Sequence, residues 1–470
     1  MPLVTVLPIL RPLLLAFGAI FSQPQRRHFD NYIQSLICQD HRRTLTGMSR
    51  HVVDGPDASS WDRFVTTTAW ELPALHTRWR RLLRKELRQW QPTGLRIAGQ
   101  QTDFLIFDDT QHSRTGPQLE GVGYHWVSAE HRARLAHVLV VGVYRTGDYS
   151  LAYSCDPYMR ATDLDPLNAE RARENLLRKP ADHRPAWAFH SKVDLAAQQL
   201  AAFRPLRPGR QVFVLFDSWY LNQQIVRAAR EQRLDWCSTL KRNRVVELLD
   251  LTLATGEVRV VRRLSVEDLL DRLALAASLS EAGIPFPEAS AATGWETVSA
   301  GGRTFRVLPY RARLAGIGLV QLVLAQERYR DGGWSPCFPL VTNRLDLTPA
   351  EVVTVYLERW PVEVLIRDGK QQLGLTDCQI ERLEGTARHG VLVFLSQAFL
   401  TLLRLRAVSG AVRTPSGRWV SNIGHTLGEA REFVKQCALV ELIRWTCAQA
   451  AGPYTRGDRA TPWAACLRRC

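Results

Sequence analysis

Two short apolar runs constrain this chain more than any other feature. Phe104-Leu105-Ile106-Phe107 stops at Asp108-Asp109, and Val212-Phe213-Val214-Leu215-Phe216 stops at Asp217. Runs of that length and composition read as buried strands. Between them, Val138 to Tyr144 and Tyr149 to Tyr153 flank Arg145-Thr146-Gly147-Asp148 and predict a hairpin, and Asn168 to Leu177 and Val193 to Phe203 predict helices. After Asp217 a helix is expected over Leu221 to Arg233 and a strand over Trp236 to Leu240. This order predicts an α/β core. An aspartate that closes a strand of an open α/β sheet sits at the sheet edge, where such sheets build their sites.

The flanking regions read differently. From Leu13 to Trp90 the pattern is helical, with Asp57-Ala58-Ser59-Ser60 as a capped helix start. The apolar stretch Leu3 to Phe21 is interrupted by Arg11, prolines recur at Pro2, Pro8 and Pro12, and the stretch is expected to be a buried helix. No other stretch is expected to reach membrane-spanning length. Ser265-Val266-Glu267-Asp268 resembles a capping box, Ala282 to Gly302 reads as a loop, and Phe305 to Ala325 reads as strands. A strand, Leu340 to Thr342, precedes a long helix from Pro349. A second helix is expected over Val391 to Leu405 and another over Leu427 to Cys447. The expected division is a helical domain at 1–95, the first part of an α/β core at 96–245, a β-rich insertion at 246–339, the second part of the core at 340–410, and a helical tail at 411–470.

Charge narrows the class of partner. The formal net charge is +15 over 470 residues, which favours a polyanion such as nucleic acid or an anionic membrane surface. Six of the basic residues are lysines and the rest arginines, which suit bidentate phosphate contacts. The nine cysteines are scattered, with no C-x-x-C pair, so neither a zinc ribbon nor a disulfide framework is expected, and the reading is a reducing cytoplasm.

The long helix carries the sharpest pattern. In Tyr356-Leu357-Glu358-Arg359-Trp360-Pro361-Val362-Glu363 and on to Lys370, an α-helical period of about 100° per residue puts Tyr356, Arg359, Glu363 and Lys370 within a sector of roughly 60°. Pro361 implies a kink or irregular turn beside Glu363. A carboxylate on such a face can hold a metal while cations hold phosphates. A solvated face of salt-bridged charges would have the same spacing. Asp108, Asp217 and Glu363 are the candidate metal ligands, since magnesium prefers oxygen donors. Asp109 is the rival to Asp108, and if Asp108 points inward, Asp109 is expected to hydrogen-bond locally with Thr110.

Tyr-x2-Arg-x3-Glu-x6-Lys resembles the signature of bacterial insertion-sequence transposases with a DDE catalytic domain, and all four positions match here. Phe107-Asp108-Asp109-Thr110, Phe216-Asp217-Ser218-Trp219-Tyr220 and Leu240-Lys241-Arg242-Asn243-Arg244 resemble that group's other motifs. One departure is His112-Ser113-Arg114-Thr115-Gly116, where many relatives carry a basic-basic-Gly run. The resemblance implies an RNase H-like catalytic core with a β-rich insertion, plus a helical N-terminal domain that recognises the element's terminal repeats. Arg78, Arg80, Arg81, Arg84, Lys85 and Arg88 there are candidate DNA contacts. It implies magnesium, replaceable by manganese, on Asp108, Asp217 and Glu363. It implies DNA contacts from Tyr356, Arg359, Lys370, Lys241 and Arg367, and an aromatic such as Trp334 that stacks on an extruded base. It implies DNA as partner, a homodimer in the synaptic complex and no membrane. The alternatives are a catalytically silent DNA-binding descendant and an RNase H-like nuclease on RNA or hybrid substrates.

Overall fold

The computed structural model describes residues 2–116, 119–127, 130–180, 183–252, 257–282 and 294–450. Among them, thirteen strands form one mixed sheet: β1 (Leu95–Ile97), β2 (Gln100–Ser113), β3 (Gly123–Val127), β4 (Arg132–Thr146), β5 (Tyr149–Tyr158), β6 (Gln211–Phe216), β7 (Asp235–Thr239), β8 (Val245–Thr252), β9 (Glu257–Ser265), β10 (Glu296–Ala300), β11 (Arg303–Leu314), β12 (Gly318–Glu327) and β13 (Phe338–Thr342). The main path runs β3-β4-β2-β6-β7-β13-β12-β11-β8-β9, with β1 beside β2, β5 beside β4 and β10 beside β11. Only β2–β6 and β6–β7 pair in parallel among the described strands; the other pairs are antiparallel.

The predicted hairpin is β4–β5. Gly147 adopts a φ of +52° in its turn, and a side chain there would run into the Thr93 carbonyl. The strands between Val246 and Pro339 do not fold apart. Through β7–β13 pairing they extend the same sheet as the aspartate-bearing strands. Within the stretch expected as a loop, 296–300 form β10, while 283–293 lie outside the described residues, as do Cys466 and Cys470.

Twelve helices of six residues or more are described. They are α1 (Gln23–Cys38), α2 (Leu45–Arg50), α3 (Ala58–Thr66), α4 (Leu72–Gln89), α5 (Ala161–Leu176), α6 (Lys192–Ala201), α7 (Gln223–Glu231), α8 (Val266–Glu281), α9 (Pro349–Leu357), α10 (Pro361–Gln372), α11 (Leu383–Val408) and α12 (Leu427–Ala450). Capping chemistry sets several starts: Asp57 Oδ1 accepts from Ser60 N at 2.7 Å, and Ser265 and Asp268 exchange hydrogen bonds ahead of α8. The N-terminal apolar stretch is not one helix. It holds only a helical turn, Arg11–Leu14, with Pro12 in its first turn, and a tight 3-10 turn, Leu15–Phe17, that ends at Gly18. Its leucines and Phe17 are nonetheless buried.

The first four helices share one hydrophobic core with α11. Phe17 meets Phe399 at 5.8 Å between ring centroids, Tyr32 Oη lies 2.8 Å from His389 Nδ1, and Arg388 donates to the carbonyls of Val65, Thr68 and Trp70. Helix α11 corrects one sequence expectation. Among the described residues it is the one helix long and apolar enough to cross a membrane, yet 83% of its most apolar window is buried inside the protein, as expected of a central core helix.

The start of α11 is held by a compact ion network. Glu120 accepts from Arg184 at 2.7 and 2.8 Å, from Arg171 at 2.9 Å and from Leu383 N at 3.0 Å, and Glu384 pairs with both arginines. Burial pushes the Glu120 carboxyl up, but these donors outweigh it and hold it at about 2. The unfolded value is about 4.3, so the contribution is present above that pH and is lost as pH falls toward 2. Glu120→Gln is therefore expected to lower stability at neutral pH by about 1–3 kcal/mol. It should also flatten the loss between pH 5 and 3, as read by thermal melts of both proteins at each pH.

Candidate metal centre and nucleic-acid interface

Register brings the first two acids together. Strands β2 and β6 run parallel with Thr102 opposite Gln211 and Ile106 opposite Leu215. That offset carried two residues further puts Asp108 level with Asp217. The sequence reading that Asp108 ends its strand is corrected here: β2 continues to Ser113, paired with β4, and Asp108 faces Val141 across that pair. What ends is its parallel neighbour, since β6 stops at Phe216 and leaves the edge of β2 open beside Asp108. Asp217 then turns the chain, with its Oδ1 accepting from Trp219 N at 2.9 Å and Tyr220 N at 3.4 Å.

The predicted long helix is two helices. α9 ends at Leu357 and α10 begins at Pro361. The link is wound tightly, with i to i−3 bonds from Arg359 N to Tyr356 O, Trp360 N to Leu357 O and Glu363 N to Trp360 O. Pro361 opens α10, where its missing N–H costs nothing, and so does not kink a continuous helix. Glu363 thereby lies in the first turn of α10, where the helix dipole favours a carboxylate.

Arg359 joins the acids. Its Nη1 lies 3.1 Å from Asp108 Oδ2, and its Nη2 makes a short ion pair with Glu363 Oε1. Burial pushes the Asp108 carboxyl up to about 6; Arg359 and the Asp109 N–H oppose this, while Asp217 and Asp109 add to it. Burial disfavours charge on Arg359 itself, but Tyr356, Asp108 and Glu363 outweigh it and hold the pKa above its ordinary value. Among the described residues no three acidic, His or Cys side chains are gathered closely enough to hold an ion as they stand. In kind, however, the donors suit one: the Arg359 guanidinium spans Asp108 and Glu363 where a cation is demanded, and Asp217 is level with Asp108.

The rival aspartate is otherwise engaged. Asp109 does not bond to Thr110. Its Oδ2 pairs with Lys192 Nζ at 2.6 Å, and its Oδ1 accepts from Tyr220 Oη at 3.2 Å. Burial and the neighbouring carboxylates push the Tyr220 phenol up, so it stays a neutral donor. Lys192 opens α6 and approaches the rings of Tyr158 at 5.5 Å and Trp219 at 5.6 Å.

The other sequence candidates are distributed around this centre. Tyr356 is half-buried under Arg359, 5.9 Å from ring to guanidinium, and burial raises its phenol. Lys241 is exposed, 5.7 Å from the Trp219 ring. Lys370 is half-buried with its pKa lowered by burial, and no carboxylate pairs with it among the described residues; Arg367 is exposed. Glu358 pairs with Arg145 at 2.8 Å, which leaves Arg359 to the acids. Trp334 is half-buried, bridged to Arg328, with the Arg306 guanidinium 4.9 Å over its ring. Arg114 is spent on the fold, donating to His137, Cys378 O and Thr386. Of the basic positions on α4, Arg81, Lys85 and Arg88 are exposed and Arg80 lies over Tyr153.

Sequence reasoning missed Lys192 and Trp219. A signal was present: with only six lysines in the chain, Lys192, Lys241 and Lys370 all fall beside the acidic motifs or in the segment between them. A cavity of about 880 Å³ lined by Trp70, Asp156, Trp187 and Arg388 includes none of the three acids, each of which is half-buried.

Two family models match the chain. The model described as DDE superfamily endonuclease matches residues 16–255, over half of the sequence, and includes both aspartates. The chain belongs to the DDE superfamily of endonucleases. A second model, described as Transposase DDE domain, matches residues 190–399 and so takes in Asp217 and Glu363. The two overlap between 190 and 255, across β6 and β7. No curated protein matches this DDE endonuclease. Membership makes it a metal-dependent nuclease-type enzyme of the transposase kind, and its large mixed sheet flanked by helices is consistent with such a fold.

Proposed function

We propose that this chain is a cut-and-paste DNA transposase whose metal ligands are Asp108, Asp217 and Glu363. The observation that carries the reading is the level register of Asp108 with Asp217 together with the Arg359 link from Asp108 to Glu363. Magnesium, or manganese in its place, would supply Lewis-acid stabilisation of the attacking and leaving oxygens. The three carboxylates would hold it from β2, the turn after β6 and the first turn of α10. Arg359 would leave the carboxylates as metal arrives and turn to a phosphate, a task its planar fork suits. Lys241, Lys370 and Arg367 would contact backbone phosphates, and Tyr356 would fix the Arg359 stem and the scissile phosphate. Trp334 would serve as a stacking aromatic. The helices before β1 would read the element's terminal repeats, and two copies would pair the ends in a homodimer acting in the cytoplasm.

The test begins with the DNA flanking the gene, from which short inverted repeats give the substrate. A duplex ending in that repeat is expected to be nicked at the repeat boundary in magnesium or manganese and left intact with EDTA. Binding with no cleavage would make the chain a silent DNA-binding descendant. Cleavage confined to an RNA–DNA hybrid would make it an RNase H-type nuclease.

A further inference from the structure

We propose that Trp219, with Lys192 and Lys241, forms a stacking platform for an unpaired base of the nucleic acid held at the acidic centre, an inference that rests on the function proposed above. Trp219 is 57% exposed, unusual for a residue joined by its own backbone N–H to an acidic side chain of the centre. Its indole has ammonium groups near it at 5.6 Å, from Lys192, and 5.7 Å, from Lys241. Lys192 is anchored by Asp109 and lies 5.5 Å from the Tyr158 ring, so the platform is tied to β2 and β5 as well as to the turn after β6. Ser218 N donates to Thr239 Oγ1 at 3.0 Å and fixes the same turn to β7.

An exposed indole with two ammonium groups near its ring suits a nucleic-acid base. Bases present π-faces to aromatic side chains whatever their sequence, and the phosphates beside a stacked base need positive charge. Trp334 is less free to serve this way, being half-buried with the Arg306 guanidinium closer to its ring, at 4.9 Å. Trp219 therefore acts on the nucleotide next to the scissile phosphate and sets its position relative to Asp217.

The test uses single-stranded probes that need no knowledge of the element. Wild-type protein in EDTA binds a 12-nucleotide oligothymidylate and an abasic oligomer of the same length and charge. Stacking of one base makes the first tighter by about tenfold. Trp219→Ala should bring that ratio close to one with an unchanged thermal melt, since the ring is mostly exposed, and Trp219→Phe should keep most of it. Lys241→Gln should weaken both probes alike and reduce the salt slope by about 0.7. A Trp219→Ala protein that keeps the wild-type ratio overturns the platform while leaving the DNA reading intact. Wild-type protein that binds neither probe also overturns the platform, while the function proposed above fails only if the repeat-ended duplex is neither bound nor cleaved.

Discussion

Asp217→Ala is expected to abolish metal-dependent cleavage while leaving DNA binding at wild-type strength. The same holds for Asp108→Ala and Glu363→Ala. Each carboxylate would donate oxygen to a divalent ion and none contributes positive charge, so the losses should separate cleanly between chemistry and binding. A drop of about a thousandfold in cleavage corresponds to about 4 kcal/mol of transition-state stabilisation. Asp109 supplies the contrast. It is engaged by Lys192 and Tyr220, so Asp109→Ala should slow cleavage about tenfold by loosening its neighbours, without ending it. Single-turnover cleavage in magnesium, beside gel-shift binding in EDTA, measures both quantities. An active Asp108→Ala with a dead Asp109→Ala would reverse the assignment between the two. Lost binding in Asp217→Ala would mean that the turn after β6 is structural.

The pattern along the sequence made the sheet legible because its strands are short apolar runs with the right period. Gln211–Phe216 and Asp235–Thr239 fall within a residue of their predicted bounds. The length of β2 was not legible. Asp108 and Asp109 break the apolar run, but the unbroken partner β4 holds polar residues in the strand as far as Ser113. Register was equally hidden, because the level placement of Asp108 and Asp217 depends on parallel pairing between segments about a hundred residues apart. The tight link at 358–360 was readable only as an irregularity, since proline tolerates both a kinked helix and a new helix start. Lys192 was invisible as a site residue because a lysine opening a helix carries no signature until Asp109 and Trp219 are brought to it. The sharing of one core by the first helices and α11 was also beyond the pattern, since periodicity says which face is apolar and not what covers it.

Arg359 carries the second large expectation, because it bridges two carboxylates that a metal would claim. Its side chain is 16% exposed, and both of its terminal nitrogens are committed. Arg359→Ala removes the guanidinium that bridges Asp108 and Glu363 among the described residues, so in EDTA the folded state should lose about 1.5–3 kcal/mol, the range for hydrogen bonds to charged groups. Divalent metal should then stabilise the variant more than the wild type, because no side chain competes for the carboxylates. At a hundred times the dissociation constant, binding alone contributes about 2.7 kcal/mol. Cleavage should nevertheless fall, since the phosphate contact proposed for Arg359 goes with it, and the salt slope of DNA binding should drop by about 1. Arg359→Lys restores charge without the fork, so it should recover the salt slope better than the cleavage rate. Thermal melts over a manganese series, paired with binding isotherms over a salt series, discriminate the possibilities. A melting temperature lowered in EDTA, indifferent to manganese and joined to an unchanged salt slope would confine Arg359 to the fold. A larger manganese response together with a reduced slope would give it both tasks in turn, as counter-ion to the empty acids and as ligand to the phosphate.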